Sequence, residues 1–88
     1  MSGDIKNCYG ELYDAILKLK DKDECEAFFR DLCTVKELDS MTQRIKAAKL
    51  LMDGDTYEQI IAKTEISSAT LSRVSRCVKY GDGYKNLL

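Results

Sequence analysis

Apolar residues recur at helical spacing along most of the chain, and no convincing stretch alternates with a period of two. The spacing predicts a first helix over about residues 4–20. Its apolar stripe is formed by Ile5, Cys8, Leu12, Ala15, Ile16 and Leu19. The acidic run from Asp21 to Glu24 supplies a cap and an acidic first turn for a second helix, which carries Phe28 and Phe29 on its inner face.

A third helical region follows from Thr34, which forms a capping-box pattern with Glu37. An apolar seam continues at steps of three and four as far as Met52. A second capping-box pattern at residues 40–43 leaves two possibilities open, one kinked helix or two separate helices. Gly54 is placed to end this region as a residue in the left-handed conformation.

The last part of the chain is predicted to form two short helices joined by a tight turn. Thr56 and Gln59 form a third capping box, which opens the first of these helices. Ser67 can cap a second helix that runs to about Tyr80, with Gly81 just past its end. This arrangement over residues 56–80 is typical of a helix-turn-helix. The predicted fold class is therefore all-α, with five to six helices.

Length and composition indicate one small globular domain over residues 1–88. Hydrophobic residues make up 44% and charged residues 33% of the chain, which argues against disorder. A domain of this length buries a thin core, so oligomerisation is expected from size alone. No stretch approaches the ~18 apolar residues of a membrane span, and no apolar block follows a basic start as in a signal peptide. We therefore expect a cytoplasmic protein without a membrane partner.

The residue types that are missing narrow the chemistry. The sequence has no histidine, which excludes a histidine general base and a zinc site of the Cys/His type. It has no glycine-rich phosphate loop and is too short to enclose a pocket, so we expect no enzyme and no metal site. The cysteines form no C-x-x-C pair and are interpreted as buried, reduced thiols. These cysteines are Cys8, Cys25, Cys33 and Cys77.

Charge is unevenly distributed, although the net charge of −1 is small. Residues 1–56 carry nine basic and twelve acidic side chains, whereas residues 57–88 carry five basic and three acidic ones. A protein with one basic end can present that end to phosphate groups. The net charge counts against a simple nucleic-acid binder, whereas the basic carboxyl-terminal part can face the phosphates of double-stranded DNA.

The second helix of the predicted helix-turn-helix has one apolar and one cationic face. Leu71, Val74 and Val78 point to one side, where Ile60 and Ile66 can receive them. Small residues at the start of the opposite face suit base edges, and the later cations suit phosphates. The candidate DNA-binding residues are Ser67, Ser68, Ala69, Thr70, Ser72, Arg73, Arg76 and Lys79. The alternative is a solvated amphipathic helix without a partner.

One position departs from the usual helix-turn-helix pattern. Glu65 occupies the turn position most often held by glycine. We expect it either to adopt a positive φ, at a cost of ~1 kcal/mol, or to impose another turn geometry. Its carboxylate also adds negative charge near the surface that would face DNA.

Several segments resemble one family. The run T-V-K-E-L-D-S-M-T-Q-R-I-K-A-A-K-L-L-M-D-G, from Thr34 to Gly54, resembles the Trp repressor without a gap. The segment S-A-T-L-S-R from Ser68 to Arg73 is similar to the start of that family's recognition helix. The flanking runs F-F-R-D-L-C-T-V-K-E-L and S-R-V-S-R-C-V-K-Y-G-D-G-Y resemble the YerC/YecD group of Trp-repressor-like proteins still more closely.

This resemblance implies an intertwined homodimer, with residues 1–53 as dimerisation helices and residues 56–80 as the DNA-reading unit. It implies two recognition helices in successive major grooves, about 34 Å apart, which is the half-site spacing known for helix-turn-helix dimers of this kind. It also implies few direct base contacts, because the Trp repressor is known for contacts mediated by water.

The resemblance further implies a small, amino-acid-like effector as the one candidate ligand. Arg44 and Arg73 match the two arginines that sandwich tryptophan, and Thr34 matches a residue near its carboxylate. Val74 replaces a glycine of that pocket, and Cys77 replaces a serine. The alternative is that Arg44 pairs with a carboxylate on a neighbouring helix while Arg73 faces phosphate.

The sequence leads to one principal hypothesis and one alternative. The first is a sequence-specific DNA-binding transcriptional regulator, with repression as the favoured outcome, that acts as a homodimer. The second is a helical protein-interaction module that keeps the fold without binding DNA, a hypothesis favoured by the sequence pI near 5.4 and by Glu65.

Overall fold

The computed structural model describes residues 8–88, and in this range it contains only helices and turns. The all-α prediction of five to six helices is confirmed. The six described helices are α1 (Gly10–Leu17), α2 (Lys22–Leu32), α3 (Val35–Met52), α4 (Tyr57–Thr64), α5 (Ser68–Tyr80) and α6 (Gly83–Leu87). The chain divides into two compact units, Met1–Val35 and Lys36–Leu88. No helix between residues 8 and 88 is long and apolar enough to span a membrane.

The first predicted helix is too long at its carboxyl end. Helix α1 has eight residues and ends at Leu17, so Leu19 lies outside it, while residues 4–7 lie outside the described range. The physical reason is the start of α2. The Asp21 side chain accepts a hydrogen bond from the Glu24 N–H, and the Glu24 carboxylate accepts one from the Lys20 N–H. This cap holds Asp21 in an extended conformation that α1 cannot continue through.

Helix α3 is a single helix of 18 residues, which decides between the two possibilities left open. The capping-box pattern at residues 40–43 does not interrupt it, and the Gln43 side chain that would complete this box donates to the carbonyl of Thr64 instead. Gly54 ends the helix as predicted, with a φ of 97°. The Gly54 N–H donates to Leu51 and the Asp55 N–H donates to Leu50, which together form a Schellman motif.

The caps predicted for α4 and α5 are both confirmed. Thr56 and Gln59 exchange side-chain and backbone hydrogen bonds of 2.8 and 3.2 Å in a complete capping box. The Ser67 hydroxyl accepts the N–H of Thr70 at 3.2 Å. Gly81 directly follows α5 and has an extended conformation. Helix α6 has no counterpart among the predicted elements.

The core of the second unit joins α3, α4 and α5. Its fully buried hydrophobic residues are Ala47, Ala48, Ile60, Ile66, Leu71 and Val74. In the first unit, by contrast, none of the described residues 8–35 is buried. The prediction of buried cysteines is wrong, because Cys8 and Cys77 are exposed and Cys25 and Cys33 are half-buried. The physical reason is that the core occupies other helix positions. All four thiols are free.

Candidate nucleic-acid interface

Helices α4 and α5 are joined by three residues, 65–67, and pack against each other through apolar side chains. Ile60 of α4, Ile66 of the turn, and Leu71 and Val74 of α5 are each no more than 2% exposed. The sequence placed these four residues and Val78 between the two helices, and Val78 is half-buried against them. Because the inner face of α5 is fixed in this way, its outer face is held in one orientation.

The turn adopts the first of the two geometries that the sequence left open, a positive φ at Glu65. Glu65 has a φ of 60° and a ψ of 18°, which is the left-handed conformation. On one side of it, the carbonyl of Thr64 accepts a hydrogen bond of 3.1 Å from the Gln43 amide on α3. On the other side, the Ile66 N–H donates to the Thr64 hydroxyl at 3.3 Å. The turn is therefore anchored to the rest of the second unit.

The first turn of α5 carries the small candidate residues. Ser68, Ala69 and Ser72 are exposed. Ser67 and Thr70 have a different local role, because the Ser67 hydroxyl donates to the Thr70 hydroxyl at 2.9 Å while it caps the helix. Three of the five small candidates thus have side chains free for an external partner.

The cationic candidates lie along the outer face of the same helix. Arg73, Arg76 and Lys79 are all exposed. Their side chains form no hydrogen bond or ion pair with any residue from 8 to 88, whereas Arg30 pairs with Glu26 and Lys63 pairs with Asp55. The prediction that these three side chains are exposed is confirmed, and their contact with DNA stays a prediction.

Lys85 is a neighbour of this face that sequence reasoning missed. Its ammonium group donates a hydrogen bond of 2.8 Å to the carbonyl of Lys79, near the end of α5. A cation at a helix carboxyl terminus is favourable because it meets the negative end of the helix dipole. The sequence showed a basic residue just beyond the predicted end of α5. It did not show that Lys85 reaches the carbonyl of Lys79, because helix α6, which carries Lys85, was not predicted.

The three candidate effector residues are distributed over both units. Thr34 belongs to the first unit, and Arg44 and Arg73 belong to the second. Both arginines are exposed, and Arg44 forms no ion pair with any residue from 8 to 88. The alternative in which Arg44 pairs with a carboxylate on a neighbouring helix therefore finds no such pair among residues 8–88. Val74 turns its side chain into the core.

The second unit also has an apolar groove of about 460 Å³ that the sequence did not indicate. None of the three candidate effector residues lines it. Its lining residues are Ile45, Cys77, Gly81, Gly83, Tyr84, Leu87 and Leu88. Within residues 8–88 no group of three or more acidic or cysteine side chains is arranged to hold a metal ion.

Comparison with known proteins gives consistent results. YerC of Bacillus subtilis (strain 168), itself described as uncharacterized, is 48% identical over 79 residues, which are 89% of this chain and 76% of YerC. The crystal structure of a candidate Trp repressor from Staphylococcus aureus superposes with a TM-score of 0.88 and 43% identity, covering 93% of this chain and 83% of that one. A TrpR-like protein from Eubacterium eligens ATCC 27750 gives 0.87 and 45%, covering 92% and 84%.

The family-level comparison covers the described chain. The profile of the Trp repressor protein family matches residues 8–88, which include all six described helices and every candidate DNA-binding residue. The matched range is far more than half of the 88 residues, and it agrees with the resemblance found in the sequence. The chain therefore belongs to the Trp repressor family.

Proposed function

We propose that the protein is a sequence-specific DNA-binding transcriptional regulator, with repression as its expected effect. The observation that carries this proposal is the outer face of α5, where Arg73, Arg76 and Lys79 are exposed and unpaired on a helix whose other face is buried. An α-helix fits the major groove, which is ~12 Å wide. Membership of the Trp repressor family supports the same function.

The two ends of this face have different tasks in the proposed complex. Ser68, Ala69 and Ser72 are small enough to let the helix approach base edges, and the two serine hydroxyls can donate or accept hydrogen bonds there. Arg76 and Lys79, which follow, contact phosphates, and these contacts position the helix without reading sequence. Affinity then comes mainly from the cations and preference from the first turn.

We further propose that the protein acts as a homodimer in which residues 1–53 supply the dimerisation helices. Helices α1 and α2 contain no buried residue, and Leu17 and Leu32 are 82% and 50% exposed. A second copy would remove such apolar surface from water, at about 25 cal/mol for each Å². Two copies related by a twofold axis would place two recognition helices on one duplex.

A small amino-acid-like effector is a separate proposal, which rests on the residues shared with the Trp repressor. The guanidinium groups of Arg44 and Arg73 are exposed and unpaired, so each is free to stack on a planar ligand. Thr34 is the third candidate. Calorimetry with L-tryptophan should give heat that the Arg44→Ala variant lacks. No heat at millimolar ligand would remove tryptophan as the effector.

The test of DNA binding begins with selection of bound sequences from random duplexes, followed by salt titration of the selected duplex. Each phosphate contact contributes about −0.9 to the slope of log affinity against log salt concentration. We expect Arg76→Ala and Lys79→Ala each to weaken binding to all duplexes and to flatten the slope by about 1. Lys22→Ala, which removes an exposed cation from α2, is the matched control and should leave the slope unchanged.

Two results would contradict the proposal. Equal slopes in the wild type and both α5 variants would show that this face does not meet phosphate. Failure to select any duplex would favour the helical protein-interaction module instead. Base readout has its own check, because Ser68→Ala and Ser72→Ala should change preference at particular positions, whereas a change in total affinity alone would exclude it.

A further inference from the structure

Glu65 stands out as a residue whose backbone conformation and charge both require explanation. Its φ of 60° is a conformation that glycine adopts readily and that a residue with a Cβ adopts at a cost. Among the described residues it is the one non-glycine residue with a positive φ. The side chain that causes this strain therefore projects from the turn of the helix-turn-helix.

The position of Glu65 is fixed by hydrogen bonds on both sides. Its own N–H donates to the carbonyl of Ile61 at 2.9 Å, which closes the end of α4. The preceding carbonyl, of Thr64, is held by Gln43 at 3.1 Å, and the following residue, Ile66, is 2% exposed. A side chain carried on such an anchored backbone starts from a defined point, which is what specific recognition requires.

The carboxylate of Glu65 is left without a partner in the described chain. It is exposed and forms no hydrogen bond or ion pair with any residue from 8 to 88. The lysine nearest to it in sequence, Lys63, is instead paired with Asp55 at 2.7 Å. Glu65 is also the one acidic residue between Glu58 and Asp82. A single free negative charge therefore lies within an otherwise cationic segment.

The place of this charge determines what it can contact. Glu65 lies two residues before Ser67, the cap of α5, and so at the amino-terminal end of the proposed recognition helix. In helix-turn-helix complexes this end faces the base edges of the major groove. A carboxylate there is repelled by phosphates and by the acceptor atoms of guanine and thymine. Cytosine presents an amino donor to it, whereas adenine presents its amino donor beside the N7 acceptor, which repels the carboxylate.

We propose that Glu65 is a specificity-determining residue, which selects a cytosine amino group at one position of each half-site. This inference rests on the proposed DNA-binding function and deepens it. The small residues Ser68, Ala69 and Ser72 offer two hydroxyls and a methyl group. These groups distinguish less well than a carboxylate between hydrogen-bond donors and acceptors on the bases. Glu65 supplies the negative charge that rejects bases presenting only acceptors at that position.

The experiment compares sequence preference in the wild-type protein and in Glu65→Gln, which removes the charge and keeps the size of the side chain. A good contact to a base edge discriminates by roughly 5- to 150-fold, so we expect the cytosine preference at one half-site position to fall by a factor in this range. Glu58→Gln is the matched control, because it removes another exposed carboxylate, from the first turn of α4. It should change affinity for all duplexes equally.

A second variant separates specificity from folding. Glu65→Gly removes the carboxylate and relieves the left-handed strain, so it should lose the same preference while its Tm rises by about 4–8 °C. If Glu65→Gln keeps the wild-type preference at every position, the carboxylate reads no base and the inference is overturned, although DNA binding stands. If the wild type selects no duplex at all, both the inference and the proposed function fail.

Discussion

Gly81 shows how closely the chain approaches itself at the end of α5. A Cβ built on this residue would lie 2.8 Å from the carbonyl oxygen of Cys77, a distance at which the backbone has to shift. The φ of Gly81 is −93°, so the requirement for glycine here is one of space and not of left-handed conformation. The Gly81 N–H donates to the same carbonyl oxygen at 2.8 Å.

Replacing this glycine should therefore destabilise the protein. We expect Gly81→Ala to lower the free energy of unfolding by about 1–3 kcal/mol, the usual cost of forcing extra atoms into a packed site. Gly83→Ala is the matched control, because nothing lies within 4 Å of a Cβ at that position. Urea denaturation measures both variants. If both variants have the same free energy of unfolding, the Cys77 carbonyl does not restrict residue 81 to glycine.

Sequence reasoning succeeded where the interaction is local. The caps at Thr56 and Ser67, the left-handed Gly54 and the strained Glu65 all depend on groups no more than a few residues apart, and the sequence displays those groups directly. The hydrogen bond from Lys85 to the carbonyl of Lys79 could not be predicted, because it requires helix α6, which no apolar spacing indicated. Local chemistry is visible in a sequence, whereas the partner of a long side chain depends on packing.

Among the helices, α3 carries the contact that fixes the turn. The Gln43 amide donates a hydrogen bond of 3.1 Å to the carbonyl of Thr64, 21 residues later in the chain. The sequence contained no sign of this bond, since Gln43 was assigned to a capping box within its own helix. Its actual partner is the last residue of α4. This one side chain links the long helix to the joint between the two short ones.

Removing that link should loosen the helix-turn-helix. Gln43→Ala leaves the partly buried Thr64 carbonyl without this donor, and we expect a loss of about 1 kcal/mol in the free energy of unfolding. Hydrogen exchange at the Glu65 and Ile66 amides should also become faster. Ser40→Ala, at an exposed position of α3, is the control. If both variants unfold alike, the link does not support the turn.

At the scale of the whole molecule, the exposed apolar side chains are the main feature that lowers the stability of a single copy. The first unit has no buried residue among positions 8–35, although the sequence pattern correctly placed apolar faces there. The spacing of the apolar residues showed which side of each helix is apolar. It could not show that these side chains stay half-exposed in a single copy of the chain. A larger core needs a second source of apolar surface.

The proposed homodimer predicts that stability depends on protein concentration. Because only the folded assembly is dimeric, a tenfold increase in concentration should stabilise it by about 1.4 kcal/mol and raise the Tm. Leu17→Ser should shift sedimentation towards the monomer. Tyr80→Ser is its control, since Tyr80 is also 82% exposed but belongs to the outer face of α5. A concentration-independent Tm would contradict the dimer.

The unpaired side chains of Arg73, Arg76 and Lys79 have a consequence for motion along a nucleic acid. Their backbone belongs to helix α5, but their long side chains keep rotational freedom, since no neighbour within the described chain holds the charged ends. Immobilising each stem costs about 0.5–1.5 kcal/mol. In the proposed complex with an unmatched duplex, the charges would exchange phosphates without being immobilised, so the protein would keep this entropy and diffuse along the duplex. Only a matched site would repay the loss, and the protein would stop there.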